Sequence, residues 1–113
     1  MNKIKKYGEV FTPLWLVNDI LDKLPAEAWE EGKTFCDPAC GDGNFLICVL
    51  DRKIANNHVN PLGSIYGVEI QEENAVACRE RLLAMAGDTE ENRATVIKNI
   101  VCANSLEYDF DFI

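Results

Sequence analysis

An α/β fold with a parallel sheet of about four strands and flanking helices is what this sequence predicts. Short apolar runs alternate along the chain with longer segments whose apolar residues recur at helical spacing, the pattern of repeated strand-helix-strand units. A glycine turn, Gly41-Asp42-Gly43, directly follows the first of these runs, and polar residues stand where the runs end. With 113 residues and 48% hydrophobic content, the chain has material for one compact domain over residues 1–113 and not for two.

The elements follow in order. Thr12 and Pro13 read as N-cap and first helical position, and Leu14, Val17, Leu21 and Leu24 then recur at helical spacing, so a first helix is expected from Pro13 to Leu24, ending at Pro25. Thr34, Phe35 and Cys36 lead as a strand into Asp37-Pro38-Ala39-Cys40-Gly41-Asp42-Gly43, and a helix from Asn44 to Ala55 follows. Asn56 to Gly63 has the composition of a loop, and Ser64 to Glu69 is a short apolar strand with a terminal carboxylate. Gln71 to Ala86 is helical, with Ala75, Cys78 and Leu82 on one face, and Gly87 ends it. Asp88 to Arg93 reads as a solvated charge run, Val96 to Cys102 as a third strand, Ala103 to Leu106 as a turn, and Tyr108 to Ile113 as the start of a fourth strand. Trp15 and Trp29 read as packing residues.

Composition narrows the function. No apolar run is long enough to span a membrane, and the basic start (Lys3, Lys5, Lys6) leads into a segment carrying Asn18, Asp19 and Asp22, unlike a signal-peptide core. A cytoplasmic protein is therefore expected. Five cysteines without a C-x-x-C pair fit buried thiols in a reducing compartment, and a single histidine, His58, argues against zinc sites that mix Cys and His. The net charge of −8 argues against strong duplex binding by this segment itself, since that affinity comes largely from Lys and Arg on phosphates.

In open parallel sheets, ligands lie beyond the carboxyl ends of the strands, and there the sequence sets Asp37, Glu69 and Asn104. Gly41 and Gly43 let the backbone approach a ligand closely. Glu69 lies 26 residues beyond Gly43, near the spacing of a ribose-binding acid in nucleotide folds, which points to a nucleoside-containing cofactor with Ile70 as an apolar surface for its base. A phosphate would be repelled by Asp37 and Asp42, whereas Asp37 suits an ammonium group such as that of S-adenosylmethionine.

Asp37-Pro38-Ala39-Cys40-Gly41-Asp42-Gly43-Asn44-Phe45 resembles motif I of the amino-DNA methyltransferases. Gly8-Glu9-Val10-Phe11-Thr12-Pro13 resembles their motif X, Gly67-Val68-Glu69-Ile70 motif II, and Ala103-Asn104-Ser105-Leu106 motif III, in the order of adenine-N6 enzymes of restriction-modification type. The resemblance implies a partial Rossmann-like methyltransferase fold with strand order 3-2-1-4 and S-adenosyl-L-methionine as cofactor. By position, Thr12 and its backbone would hold the cofactor carboxylate and Asp37 its amino group. Pro38, Ala39, Gly41 and Gly43 would form the loop around it, and Phe45 would close the pocket. Glu69 would take the ribose hydroxyls, Ile70 would pack on adenine, and Asn104 with Ser105 would meet the adenine edge. Many relatives carry Asp where this chain has Asn104, a neutral and weaker acceptor.

A second departure is the absence of an Asn- or Asp-Pro-Pro-Tyr or -Phe motif, which would hold the target amino group and stack on a flipped base; all four prolines here are isolated. The expectation is a truncated adenine-N6 methyltransferase, with cytosine-N4 as the lesser target, inactive alone and meeting DNA through parts outside this chain. An exposed fourth-strand edge is expected to favour self-association or a partner chain. The alternative from a different class is a non-catalytic binding or regulatory module of a restriction-modification system.

Overall fold

The structure is a computed structural model and describes residues 12–110. Strands β1 (Phe35–Asp37), β2 (Ile65–Glu69) and β3 (Ile100–Cys102) form one parallel sheet in the order β1-β2-β3. Helix α1 (Leu14–Asp22) precedes the sheet, α2 (Asn44–Ala55) joins β1 to β2, and α3 (Glu72–Ala86) with α4 (Glu90–Asn99) joins β2 to β3. The α/β class and parallel pairing are thus as expected, and the observed order is the 3-2-1 portion of the expected one.

Phe35 pairs with Ile65, and Gly67 with Ile100, so strand alternation puts Phe35, Asp37, Ile65, Gly67, Glu69 and Ile100 on one face. Helices cover that face. Leu46, Val49 and Leu50 of α2 and Cys78, Leu82 and Leu83 of α3 bury against Ile65 and Ile100, and Val17, Leu21 and Val96 extend the same cluster. Each such aliphatic side chain contributes roughly 1.5–3 kcal/mol on burial. Gly67 is required by packing, because a side chain there would meet Cys40 Sγ and Leu46 Cδ1, each at 2.9 Å.

At the amino ends of the strands, the 3-10 turn Ala26–Trp29 is pinned to the sheet. Trp29 stacks on Phe35 with ring centroids 5.0 Å apart, and His58 Nε2–H donates to the Trp29 carbonyl at 2.8 Å. Lys53 is fully buried, donates to the Lys33 carbonyl at 2.8 Å and lies 5.0 Å over the Phe35 ring. Burial pushes its ammonium below the ordinary lysine range, against the opposing charge of Glu31.

Four expectations need correction. Thr12 is not the cap of α1: that position is Pro13, whose carbonyl receives the N–H groups of Leu16 and Val17, both at 3.1 Å. The charge run is largely helical. Thr89 caps α4 by accepting the Asn92 N–H at 3.0 Å, and Glu90, Glu91 and Lys98 complement the helix dipole, so the third strand shrinks to Ile100–Cys102. Tyr108 to Phe110 are not strand. Phe110 takes the left-handed conformation at φ +53°, which interrupts an extended run, and residues 111–113 lie outside the described residues. The sheet edges among the described residues therefore belong to β1 and β3, not to a fourth strand. Trp15 is 67% exposed, so of the two tryptophans it is Trp29 that packs. Among the described residues no helix is long and apolar enough to cross a membrane.

Replacing Thr89 with Ala removes the α4 cap. The expected loss is about 1 kcal/mol of stability, with sheet and site intact, and urea denaturation followed by circular dichroism measures it.

Candidate functional site

Strand β1 ends at Asp37, and the chain turns back on itself at once. Asp37 Oδ1 accepts the Ala39 N–H at 3.1 Å, which fixes the carboxylate over the start of the loop. Gly41 and Gly43 adopt φ +57° and +100°, a backbone open to glycine at little cost. Gly43 also has no room for a side chain, since a Cβ would lie 2.9 Å from Cys78 Sγ. Four of the loop amides are engaged within the protein. Ala39 N–H goes to Asp37, Cys40 N–H to the Val68 carbonyl at 3.0 Å, Gly41 N–H to Glu69 Oε1 at 3.0 Å, and Gly43 N–H to the Cys40 carbonyl at 2.9 Å. A phosphate cradle needs such amides turned outward. This loop instead presents side chains, with Asp37 foremost.

Glu69 closes β2 and is 6% exposed. Its second oxygen, Oε2, accepts the Gln71 N–H at 2.9 Å, so one carboxylate ties the glycine loop to the start of α3. Asp37 and Glu69 share a sheet face and feel one another: burial, and then the Glu69 charge, raise the Asp37 carboxyl above its ordinary value, while the Ala39 N–H opposes the rise. Ile70, 51% exposed, follows as an uncovered apolar side chain. Beyond β3, Ala103 N–H donates to the Glu69 carbonyl at 2.9 Å, which brings the next turn alongside. In that turn Asn104 Oδ1 accepts the Leu106 N–H at 3.0 Å, a local closure that engages its side-chain oxygen.

Sequence reasoning missed Arg81. From α3, its Nη1 donates to the Asp42 carbonyl at 3.1 Å and to Asn44 Oδ1 at 2.8 Å, and it stands 3.2 Å from Asp42 Oδ1 as an ion pair whose N–H bonds point elsewhere. The Asp42 charge is thereby compensated, so of the two loop carboxylates Asp37 alone stays without a cationic partner among the described residues. No pattern in the sequence marks Arg81, which is one basic residue in a helix facing a loop 37 residues away.

A cleft of about 30 Å³ brings together Thr12, Asp37, Ala39, Gly41 and Phe45, with Cys40, Asp42 and Asn44. Pro38 is exposed beside it, and Gly43 buttresses it from behind. Glu69 stands behind Gly41, not in the cleft wall, and Ile70, Asn104 and Ser105 continue the same end of the sheet outside it.

Over residues 1–111 the sequence matches the N-6 DNA methylase family. The chain belongs to that family. Among curated relatives of this N-6 DNA methylase domain, a Type II methyltransferase, M.VspI from Vibrio sp. (strain 343), is 39% identical over 87 residues, covering 77% of this chain and 19% of the relative. The Type I restriction enzyme EcoEI methylase subunit from Escherichia coli is 29% identical over 82 residues, covering 67% of this chain and 16% of the relative. The chain thus spans under one fifth of the length of these relatives. The expectation of an N-6 DNA methyltransferase family tied to restriction-modification is met.

In this methylase domain the bond from Glu69 to two backbone amides needs an acceptor at both oxygens. Glu69→Gln supplies one acceptor and sets its amide nitrogen against the other N–H. A loss of roughly 1–3 kcal/mol is expected on urea denaturation, and an unchanged midpoint would count against the latch.

Proposed function

We propose that this chain is the S-adenosyl-L-methionine-binding portion of a DNA adenine-N6 methyltransferase of a restriction-modification system. The reading rests on one observation above others: Asp37 and Glu69 stand at adjacent strand tips on one sheet face, and the glycine loop that leaves Asp37 is bonded through its Gly41 amide to Glu69. Bound there, the cofactor supplies an activated methyl group on a sulfonium.

Three features support the fit. Glu69 uses two of its roughly four lone-pair sites on backbone amides, leaving others for ribose hydroxyls. Asp37 Oδ2 accepts from no described residue, so it is available to the ammonium of the methionine portion. Ile70 offers exposed apolar surface next to Glu69, where adenine would pack, with Asn104 and Ser105 at its edge. Thr12 and its backbone would hold the carboxylate, Pro38, Ala39, Gly41 and Gly43 would shape the loop around the ligand, and Phe45 would close it. The cleft as it stands holds far less than the roughly 300–1,000 Å³ of a full ligand pocket, so most of the ligand would lie outside it, along the same end of the sheet.

In the fuller fold of this reading the strand order is 3-2-1-4, with the fourth strand on the open edge of β1; the same edge would mediate self-association of the chain alone. The protein acts in the cytoplasm and meets DNA through regions outside these 113 residues. The chain by itself lacks turnover, because no Pro-Pro-aromatic motif is present to position the target amine.

Calorimetric titration with S-adenosyl-L-methionine tests this. Asp37→Ala and Glu69→Ala are each expected to weaken binding by about tenfold to a hundredfold, the worth of a charge-assisted hydrogen bond. Equal affinity in all three proteins, or no binding by the wild type, would end the proposal, and methylation of DNA by the chain alone would end its claim of inactivity.

A pH series adds a sign. The ammonium draws the bound-state value of Asp37 below its raised free-state value, so affinity is full above the latter. It falls by up to about tenfold per pH unit as pH drops through that window, with proton release on binding. Asp37→Asn should bind weakly and without this slope.

A further inference from the structure

Two residues to which the motifs assign no role connect the walls of the cleft. Asn44 begins α2, and both ends of its amide are engaged: Nδ2 donates to the Thr12 carbonyl at 2.9 Å, while Oδ1 accepts from Arg81 Nη1 at 2.8 Å. Arg81 in turn holds the Asp42 carbonyl and pairs with the Asp42 carboxylate. A relay therefore runs from α3 through the loop to the segment before α1, across sequence separations of 37 and 32 residues. Both ends of the Asn44 amide, and Nη1 of Arg81, are given to protein groups. The effect of these contacts is on where Thr12 stands relative to Asp37.

We infer that Arg81 and Asn44 are positioning residues for the amino-acid end of the cofactor, setting the spacing between the Thr12 backbone and Asp37, and with it the choice of ligands that carry an amino-acid tail. The inference rests on the cofactor reading above. It follows from three constraints. Thr12 lies in coil and is not fastened by a helix cap, so the Asn44 bond is what ties its carbonyl to the loop. The guanidinium is a planar fork that reaches a carbonyl and a side-chain oxygen together, which a lysine ammonium on a flexible stem does less well. Finally, Arg81 compensates Asp42, so that an incoming α-carboxylate meets one uncompensated negative charge in the cleft and not two.

The relay bears on the tail and not on the nucleoside, since Glu69 is held by separate amides. S-adenosylhomocysteine, which has the tail, and 5′-methylthioadenosine, which lacks it, separate these two ends in calorimetric titrations of the 113-residue chain. Arg81→Ala should weaken S-adenosylhomocysteine by about tenfold and leave methylthioadenosine within about twofold. Arg81→Lys should fall between. Asn44→Ala, which spares the Arg81 contacts to Asp42, should give the same tail-specific loss, and the double variant should lose less than the two single losses combined. Equal losses for both ligands, or no loss for either, in Asn44→Ala overturn the inference while leaving the cofactor reading in place. A wild type that binds neither ligand overturns both.

Discussion

The Glu69 carboxylate is the point on which the architecture of this domain turns. A parallel sheet delivers three strand ends to one side of the molecule, where the segments that leave them must be held together. Glu69 does so with two hydrogen bonds, one to the glycine loop after β1 and one to the start of α3 after β2. Because it is nearly buried, leaving either amide without an acceptor would cost roughly 1–3 kcal/mol, so each segment is held in one place. The neighbouring Asp37 then sits in the field of a fixed negative charge, which accounts in part for its reluctance to ionise. Structure and site electrostatics here have a common origin.

The opposite end of the sheet is organised by different chemistry. Lys53 is buried whole, with its ammonium on a backbone carbonyl and above an aromatic ring, and His58 and Trp29 complete the same cluster. Such a cluster rigidifies the base of β1 and the end of α2. The loop between those two elements is thereby held from below by polar anchoring and from above by Glu69, which suits a segment that must keep unusual backbone angles at Gly41 and Gly43.

Much of this was legible in the sequence where local chemistry and global packing agree. The strand-glycine-helix run from Phe35 through Ala55 combines an apolar run, residues tolerant of positive φ and a periodic helix, and it forms as expected. The same holds for β2, for α3 and for its stop at Gly87, whose φ is +113°. Helix α4 escaped notice because its mean composition is polar: it buries only Val96 and Asn99, so it shows almost no apolar periodicity, and its cap at Thr89 was hidden inside a charge run. Thr12 looked like a cap because Thr-Pro often is one, yet the chain placed Pro13 at that position and gave the Thr12 carbonyl to Asn44. Among the site residues, the strand tips were visible from spacing, whereas Arg81 could be found only through space.

Behind the loop, Cys40 and Cys78 occupy the room that Gly67 and Gly43 leave by having no side chains. A hydrogen bond to Cys78, burial and the nearby carboxylates keep the Cys40 thiol protonated far above the ordinary range. Thiol reagents therefore meet exposed Cys102 before buried Cys40. Reaction at that buried sulfur would accordingly act as a clock for local opening, set into the protein beside the candidate cleft.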